Sequence, residues 1–315
     1  MTLLRPLVCL LATFAAGASH AGVLGIGQNI GGANVYAFHN FSGTYSDVEG
    51  ALVAGGNVTL NGYSVNANNV DAYANASGAG YALVAGGNLA LANGSIKNGV
   101  AYVGGNRTVT SADTQGFTAT NPVDFAAAQA YYTNLSGALA NVAATGTTAR
   151  NGTGISLTGS GAGVDVFNLT TAQLNGATWW QTSNLTAGQT LVFNVSGGAG
   201  YFNNMGFSQL TGYNVLFNFY QATDLNVNGV IGSILAPYAT VGGSGGAVHG
   251  NLIVDNWNAG TQIDADHYFK AVDIAGLNLG PATDVPEPAS IALGVAGLAA
   301  LRQARRQRAC RARAS

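Results

Sequence analysis

The sequence predicts a mostly β protein. We expect a right-handed parallel β-helix (β-solenoid) with one α-helix packed near residues 122–142, flanked by an N-terminal signal helix and a C-terminal apolar helix. Hydrophobic residues make up 48% of the 315 residues and alternate with polar ones, although 46 residues are glycine. Disordered segments lack that apolar content. A block built around Gly-Gly-Asn also recurs along the chain, and a single stretch has helical periodicity.

The first residues are typical of a secretory signal peptide. Arg5 is followed by an apolar stretch from Leu7 to Ala16 and then by small residues. Because Ser19 and Ala21 are small enough for the pockets of a signal peptidase, we expect that enzyme to cleave after Ala21. Residues 1–21 are therefore predicted to be removed on export. An amphipathic or buried first helix is a weaker alternative, since the stretch has no polar face.

Internal repeats are the main evidence for a solenoid. Leu52–Leu60 returns as Leu83–Leu91 and, shortened, as Tyr102–Val109. Each copy reads as a short strand, a Gly-Gly-Asn corner and a second short strand, because Gly accepts a positive φ and Asn tolerates it. Parallel strands of successive coils would then stack, with inward Val and Leu forming a column. A β-sandwich of hairpins is the alternative, but it favours two-residue turns between adjacent paired strands.

One segment departs from the β pattern. Asn121, Pro122 and Asp124 suit the N-cap, N1 and N3 positions of a helix. Apolar residues then recur at helical spacing, namely Phe125, Ala128, Tyr132, Leu135, Leu139 and Val142. The pattern predicts a helix of about five turns whose buried face lies along the side of the solenoid.

The rest of the body returns to β patterning. Residues 151–219 contain several apolar β runs, such as Thr190–Val195 and Asn214–Phe219. Gly229–Val241 and Gly250–Val254 follow, with Ala-Pro and a Gly-rich corner between them. We interpret these two late segments as the closing coils of the solenoid.

The end of the chain has a different composition. Pro286-Glu287-Pro288 precedes an apolar run, Ala289–Leu301, and six arginines follow it. An apolar helix with a basic end tends to stop in a membrane with the arginines on the cytoplasmic side. Thirteen residues at about 1.5 Å each span about 20 Å, which is short of the ~30 Å hydrocarbon core. We therefore expect a transient membrane anchor.

These terminal features resemble the PEP-CTERM sorting signal of Gram-negative bacteria, an ordinary tail anchor being the alternative. The resemblance implies that an exosortase-type enzyme acts near Pro286, Glu287 and Pro288 and places the protein at the cell surface or in an exopolysaccharide matrix. The body resembles the choice-of-anchor A family, an adhesin-like domain expected to be a β-helix. That resemblance rests on the order of its motifs, which are Tyr36-Ala37-Phe38, Ser46–Gly50, the Gly-Gly-Asn blocks, the Pro122–Phe125 helix start and Ile234–Pro237. The predicted divisions are 1–21, 22–280 and 281–315.

The charge of the body excludes some classes of ligand, and its cysteine content excludes disulfides. Residues 22–285 contain four basic and twelve acidic residues, a formal charge of −8. Nucleic acids and anionic membranes bind clustered Lys and Arg, so neither is an expected partner. Both cysteines, Cys9 and Cys310, lie in the end segments. The mature body must therefore be stable in an oxidising compartment without disulfides.

The sequence contains no recognisable catalytic, cofactor or metal motif. His39, His249 and His267 are scattered and match no metal-ligand spacing. Asp264 and Asp266 could supply oxygens to Ca²⁺, but Ca²⁺ needs six to eight oxygens, and solvation of a loop is the favoured interpretation. Asp47 and Glu49 are close enough in sequence to act as acid and base, although nothing places them in one cleft. We expect no cofactor and no enzymatic activity.

The favoured function is a non-catalytic adhesion or structural role, with exopolysaccharide or another surface glycan as the ligand. Tyr and Trp rings can stack on sugars, so Trp179, Trp180 and Trp257 are candidates for contact, although burial in the core is expected for at least two of them. A polysaccharide-active enzyme on a β-helix is one alternative. An ice- or mineral-binding solenoid is another, but it would need a flat face of regularly spaced Thr, and only irregular Thr is visible.

Overall fold

A computed structural model describes residues 22–27, 29–68, 73–74, 80–202 and 207–279. The predicted signal peptide with Ala21, the sorting motif Pro286-Glu287-Pro288 and the apolar run after it lie outside the described residues. Within the described ranges, no helix is long and apolar enough to span a membrane.

The protein is mostly β, with a curled parallel sheet and few helices. The strands before the long helix are β1 (Gly22–Leu24), β2 (Val35–Ala37), β3 (Phe41–Thr44), β4 (Asp47–Val48), β5 (Leu52–Ala54), β6 (Val58–Asn61), β7 (Ser64–Val65), β8 (Tyr73–Ala74), β9 (Gly80–Ala85), β10 (Leu89–Ala92), β11 (Ser95–Ile96), β12 (Val100–Val103), β13 (Arg107–Thr110), β14 (Asp113–Thr114) and β15 (Phe117–Thr118). The helices are α1 (Phe125–Ala140) and α2 (Thr171–Leu174), with a 3₁₀ turn at Phe207–Leu210. The later strands are β16 (Thr147–Asn151), β17 (Gly154–Thr158), β18 (Val164–Thr170), β19 (Trp179–Ser183), β20 (Thr190–Ser196), β21 (Ala199–Phe202), β22 (Asn214–Phe219), β23 (Asp224–Val227), β24 (Val230–Ile231), β25 (Ser233–Gly243), β26 (Ala247–His249), β27 (Leu252–Ala259), β28 (Gln262–Asp264) and β29 (Val272–Ile274).

Most strands stack in three parallel ladders, because successive lengths of chain contribute one strand to each. The first ladder runs β18, β20, β22, β25, β27, β2, β5, β9, β12, β15. The second runs β21, β23, β25, β27, β3, β6, β10, β13. The third runs β24, β26, β28, β4, β7, β11, β14. Long strands β25 and β27 bend and serve the first two ladders in turn.

Parallel pairing contradicts the hairpin sandwich considered from the sequence. Among the described strands, antiparallel pairing is limited to β1 with β29, β8 with β9, and β16 with β17. The repeated blocks stack in register, since Leu52 pairs with Leu83 and Val58 pairs with Leu89. The recurrence therefore marks equivalent positions on neighbouring parallel strands of the sheet.

The order of stacking differs from the order of the chain. β2, near the start of the body, pairs with β27, near its end, with Val35 opposite Leu252. The prediction that residues 229–254 form closing coils is therefore wrong, because β25 and β27 lie in the middle of the stack. The chain builds the stack outward from β2 to β15, passes through α1, and starts again at β18 at the far end.

Alternation along each strand produces the hydrophobic core. In the first ladder, Val35, Leu52 and Leu252 point inward and are fully buried. An aromatic stack extends this core, with Phe193 5.3 Å from Phe167 and 4.8 Å from Phe217 between ring centroids. Burying such side chains supplies the main favourable free energy of folding.

Helix α1 covers the outward side of the first ladder. Ala128, Tyr132, Leu135 and Leu139 are buried there, as the spacing predicted. The helix begins three residues later than the predicted Pro122 start, because Asp124 is the N-cap and its carboxylate accepts the Ala127 N–H at 3.0 Å. Its C-cap is Asn141, so Val142 is buried but lies beyond the helix.

A separate three-stranded sheet lies alongside the part of the stack that contains β18, β20 and β22. It comprises β16, β17 and β19, and Ile155, Leu157 and Trp180 from it join the core. At the end of the stack formed by β13 and β15, by contrast, Val109 is 39% exposed and the Arg107 guanidinium lies over the Phe117 ring at 4.6 Å.

Candidate functional site

The outward residues of the second ladder form one continuous surface. Its strands alternate buried and outward positions, as in β6, where Val58 and Leu60 are buried and Thr59 is exposed; only β13, at the end of the ladder, is exposed throughout. We call the central outward column the amide-hydroxyl face. In stacking order it consists of Tyr201, Asn226, Gly242, Asn258, Ser42, Thr59, Ala90 and Thr108.

A column of asparagines borders this face at the Gly-Gly-Asn corners. The Asn57 N–H donates to Asn40 Oδ1 at 3.0 Å, and the Asn88 N–H donates to Asn57 Oδ1 at 2.8 Å. The Asn106 N–H continues the series to Asn88 Oδ1 at 2.8 Å. Each amide oxygen thus holds the corner of the next coil, which fixes the edge of the face.

The glycines of the corner are needed because successive backbones approach so closely. A Cβ on Gly86 would collide with the carbonyl oxygen of Gly55, and a Cβ on Gly104 would collide with that of Gly86. A side chain at any of these three positions would separate adjacent coils. The recurrence of Gly in the sequence therefore reports close packing of the stack as much as turn geometry.

The amide-hydroxyl face is rigid and uncharged. None of its eight residues is charged, and neighbouring strands of a sheet lie about 4.8 Å apart, which sets the repeat of the column. A shallow groove of about 350 Å³ runs between it and the asparagine column, past Asn57, Thr59, Asn88, Ala90 and Thr108. Amide and hydroxyl groups both donate and accept hydrogen bonds, so the face can bind a polar polymer or surface without ion pairing.

Aromatic residues contribute little to this surface. Trp180 is 2% exposed and Trp257 is 1% exposed, which confirms that at least two tryptophans belong to the core. Trp257 stacks on Phe41 at 6.0 Å between ring centroids. Trp179 is half-buried on β19, away from the second ladder. Tyr201 is thus the aromatic member of the amide-hydroxyl face.

A cluster of imidazoles and carboxylates lies on the third ladder. His249 on β26 is the register partner of Asp264 on β28, and its Nδ1 is 3.3 Å from Asp264 Oδ2 and 3.1 Å from both carboxylate oxygens of Asp266. His267 completes the group, with its ring centroid 6.4 Å from that of His249. We refer to these four residues as the His-Asp cluster.

Two further carboxylates border the cluster. Glu49 accepts the Ala265 N–H through Oε2 at 2.9 Å, which holds the loop between Asp264 and Asp266. Burial, followed by repulsion from Glu49, raises the pKa of Asp264 to about 6. Burial and Glu49 also raise the pKa of Asp47 above its usual range, with Lys97 acting in the opposite direction.

The sequence identified only part of this cluster. The sequence places Asp264 and Asp266 together as possible oxygen donors, whereas His249 and His267 match no metal-ligand spacing in it. The structure brings His249 to them from the adjacent coil. The spacing of the repeats could have indicated this contact. His249 precedes Asp264 by 15 residues, which is close to the 18-residue offset between the second and third Gly-Gly-Asn blocks, and residues one repeat apart lie on neighbouring strands. His39 is elsewhere, and its Nδ1 lies 2.5 Å from Asp255 Oδ1.

Comparison with known proteins identifies one family. Residues 28–265 match the model described as "Putative Ice-binding-like adhesive domain". No curated protein and no solved structure is significantly similar to the chain. The match spans both halves of the parallel sheet, including the amide-hydroxyl face and, of the His-Asp cluster, His249 and Asp264. Because it covers most of the chain, the protein belongs to the family of ice-binding-like adhesive domains.

Proposed function

We propose that the protein is a non-catalytic surface adhesin that binds exopolysaccharide or another surface glycan through the amide-hydroxyl face. The observation that carries this proposal is the continuous, uncharged column of outward Asn, Ser, Thr and Ala side chains on the second ladder. Sugars present hydroxyl groups at regular intervals, and amides and hydroxyls can exchange hydrogen bonds with them. Family membership supports the proposal, since the family's description is that of an adhesive domain.

The finer features of the proposal come from the sequence. In this view the fold is a right-handed parallel β-helix, and signal peptidase removes residues 1–21. An exosortase-type enzyme then recognises Pro286-Glu287-Pro288 after transient anchoring by the apolar run. The protein would reside at the surface or in the extracellular matrix of a Gram-negative bacterium as a choice-of-anchor A protein. It would need no cofactor and would not bind nucleic acid.

A charge placed in the centre of the face tests its role. Ala90 is exposed on β10, between Thr59 and Thr108 on the adjacent strands. The variant Ala90→Arg places a long cation across the column, and we expect at least a tenfold loss of affinity for immobilised exopolysaccharide from the host, measured by biolayer interferometry on the full chain. The matched control is Ala130→Arg on the exposed side of α1, which should bind as wild type does. Equal loss in both variants, or in neither, contradicts the proposal.

Ice is the second candidate ligand, favoured by the family description and by the small outward residues Ser42, Thr59, Ala90 and Thr108 on consecutive strands of the face. Against it, threonine occurs only at Thr59 and Thr108 of the eight central positions. An assay of ice recrystallisation with the same two variants separates the possibilities. Inhibition that Ala90→Arg abolishes, without glycan binding by the wild type, would replace the glycan assignment with ice.

A further inference from the structure

We propose that the His-Asp cluster binds a divalent transition-metal ion such as Zn²⁺, with His249, Asp264 and Asp266 as ligands and His267 beside Asp266. This inference is independent of the adhesive function. It rests on the geometry of the ligand atoms, on buried atoms that lack partners and on the surrounding charge.

The distances between the donor atoms fit a tetrahedral ion. One donor atom from each of His249, Asp264 and Asp266 can be chosen so that all three lie within 4.8 Å of one another, and His249 Nδ1 is 3.1–3.3 Å from the nearest carboxylate oxygens. Donors bound to Zn²⁺ at 2.0–2.2 Å in tetrahedral geometry are about 3.3–3.6 Å apart. The imidazole–carboxylate separations are therefore already close to those of a metal site, and rotation of the carboxylates about their side-chain bonds would complete it.

The fold holds these donors in place before any ion binds. Direct register pairing of β26 with β28 sets the separation of His249 and Asp264. The Gly250 N–H donates to the Asp264 carbonyl at 3.2 Å, which fixes the backbone of both strands at this point. Asp266 follows in the short loop that Glu49 holds. Donors on rigid elements lose little freedom on binding, which favours affinity.

Two buried atoms in the cluster have no hydrogen-bond partner, Asp264 Oδ1 and His267 Nδ1. His267 Nε2 lies 3.1 Å from the Thr211 carbonyl oxygen, which can only accept, so Nε2 carries a hydrogen. In the neutral ring, Nδ1 then carries a lone pair, and this nitrogen lies 3.6 Å from Asp266 Oδ1. A lone pair beside a carboxylate is favourable when a cation lies near both, and a backbone carbonyl on the other ring nitrogen is the usual arrangement of metal-binding histidines.

Charge around the cluster favours a dication. Asp47 and Glu49 add to the repulsion felt by Asp264, and a divalent ion would relieve it. Imidazole nitrogen suits Zn²⁺, Ni²⁺ and Cu²⁺, whereas Ca²⁺ requires six to eight oxygens. The donor set therefore selects transition metals over Ca²⁺. The alternative is a metal-free ion pair between an imidazolium and two carboxylates.

The assignment can be tested by isothermal titration calorimetry with ZnCl₂ near neutral pH. The protein is the full chain without a histidine tag, and a chelator first removes any bound metal. We expect one Zn²⁺ per chain, no displacement by excess CaCl₂, and at least a tenfold weaker affinity in His249→Gln and in Asp264→Asn. Co²⁺ should give the visible absorption of a tetrahedral site in wild type and lose it in both variants. Circular dichroism confirms that the variants are folded.

The matched control is His39→Gln, because the His39–Asp255 pair has a similar short contact but belongs to no group of three or more possible metal ligands among the described residues. It should bind Zn²⁺ as wild type does. Absence of Zn²⁺ binding by the folded wild type, or the same affinity in wild type and His249→Gln, overturns the metal site and leaves the ion pair as the function of the cluster.

Discussion

Asn218 provides the sharpest test of how α1 is held against the sheet. It is fully buried on β22, and its Nδ2 donates to the Ser136 carbonyl at 3.0 Å and to Asn194 Oδ1 at 2.9 Å. Its Oδ1 accepts from the Ser136 hydroxyl at 2.6 Å. Asn194 in turn donates to the Leu139 carbonyl at 2.6 Å. Two stacked amides of the first ladder thus hydrogen-bond the last two turns of the helix.

The expected loss of stability follows from the groups left without partners. In Asn218→Ala, the Ser136 hydroxyl and Asn194 Oδ1 lose their partners in a buried site, whereas the Ser136 carbonyl can retain its helical bond. An orphaned buried polar group costs about 1–3 kcal/mol. Since a serine hydroxyl can turn to a carbonyl of its own helix, we expect a total of about 2–4 kcal/mol. That is a large share of the typical ~5–15 kcal/mol of a folded domain.

The assay is urea unfolding of the full chain followed by far-ultraviolet circular dichroism. Asn226→Ala on neighbouring β23 is the matched control, since Asn226 is exposed, and it should change the free energy of unfolding by less than about 0.5 kcal/mol. A double-mutant cycle with Ser136→Ala should give a coupling energy of about 1 kcal/mol or more, because the two side chains bond each other. A loss in Asn218→Ala no greater than in the control, or no coupling, would refute the docking of α1 through this network.

Three further predictions address the core, the charge and the ends of the chain. Phe193→Ala should lower the free energy of unfolding by about 3–5 kcal/mol, and half-buried Phe117→Ala by much less, both measured in urea; equal losses would contradict the assignment of the aromatic stack to the core. Burial and Glu49 raise the pKa of Asp47, so ionisation of this carboxyl disfavours the folded state. The free energy of unfolding of wild type, relative to that of Asp47→Asn, should therefore fall as the pH rises from about 3.8 through the raised pKa. A constant difference between the two proteins across that pH range would disprove the shift. Intact-mass spectrometry of protein from the native host should show loss of residues 1–21 and of 289–315, and retention of the latter would favour a lasting anchor.

The sequence predicted local features well, because local spacing determines them. Repeated Gly-Gly-Asn blocks identified equivalent coils, and alternation identified the inward positions. Apolar spacing located α1 and its buried face. The predicted start of α1 was wrong by three residues, because two residues that can cap a helix, Asn121 and Asp124, lie close together. The structure uses Asp124 as the cap, while Asn121 accepts the Val123 N–H at 3.0 Å in a tight turn.

Features that depend on contacts between segments far apart in the chain could not be predicted from the sequence. Nothing in β2 or β27 alone indicates that Val35 pairs with Leu252, because both are ordinary apolar strands that could stack on any neighbour. The separate sheet of β16, β17 and β19 could likewise not be distinguished in the sequence from the other β runs. His249 was missed for the same reason, since it approaches the acidic residues only when the coils are stacked.

The order in which the strands stack requires late segments of the chain for folding. The middle of the sheet forms only when β27 has emerged and can pair with both β25 and β2, so the two halves cannot join until almost the whole body is available. Contacts this distant in sequence slow folding. The same closure brings the flanks together, because Gly22 on β1 pairs with Ile274 on β29.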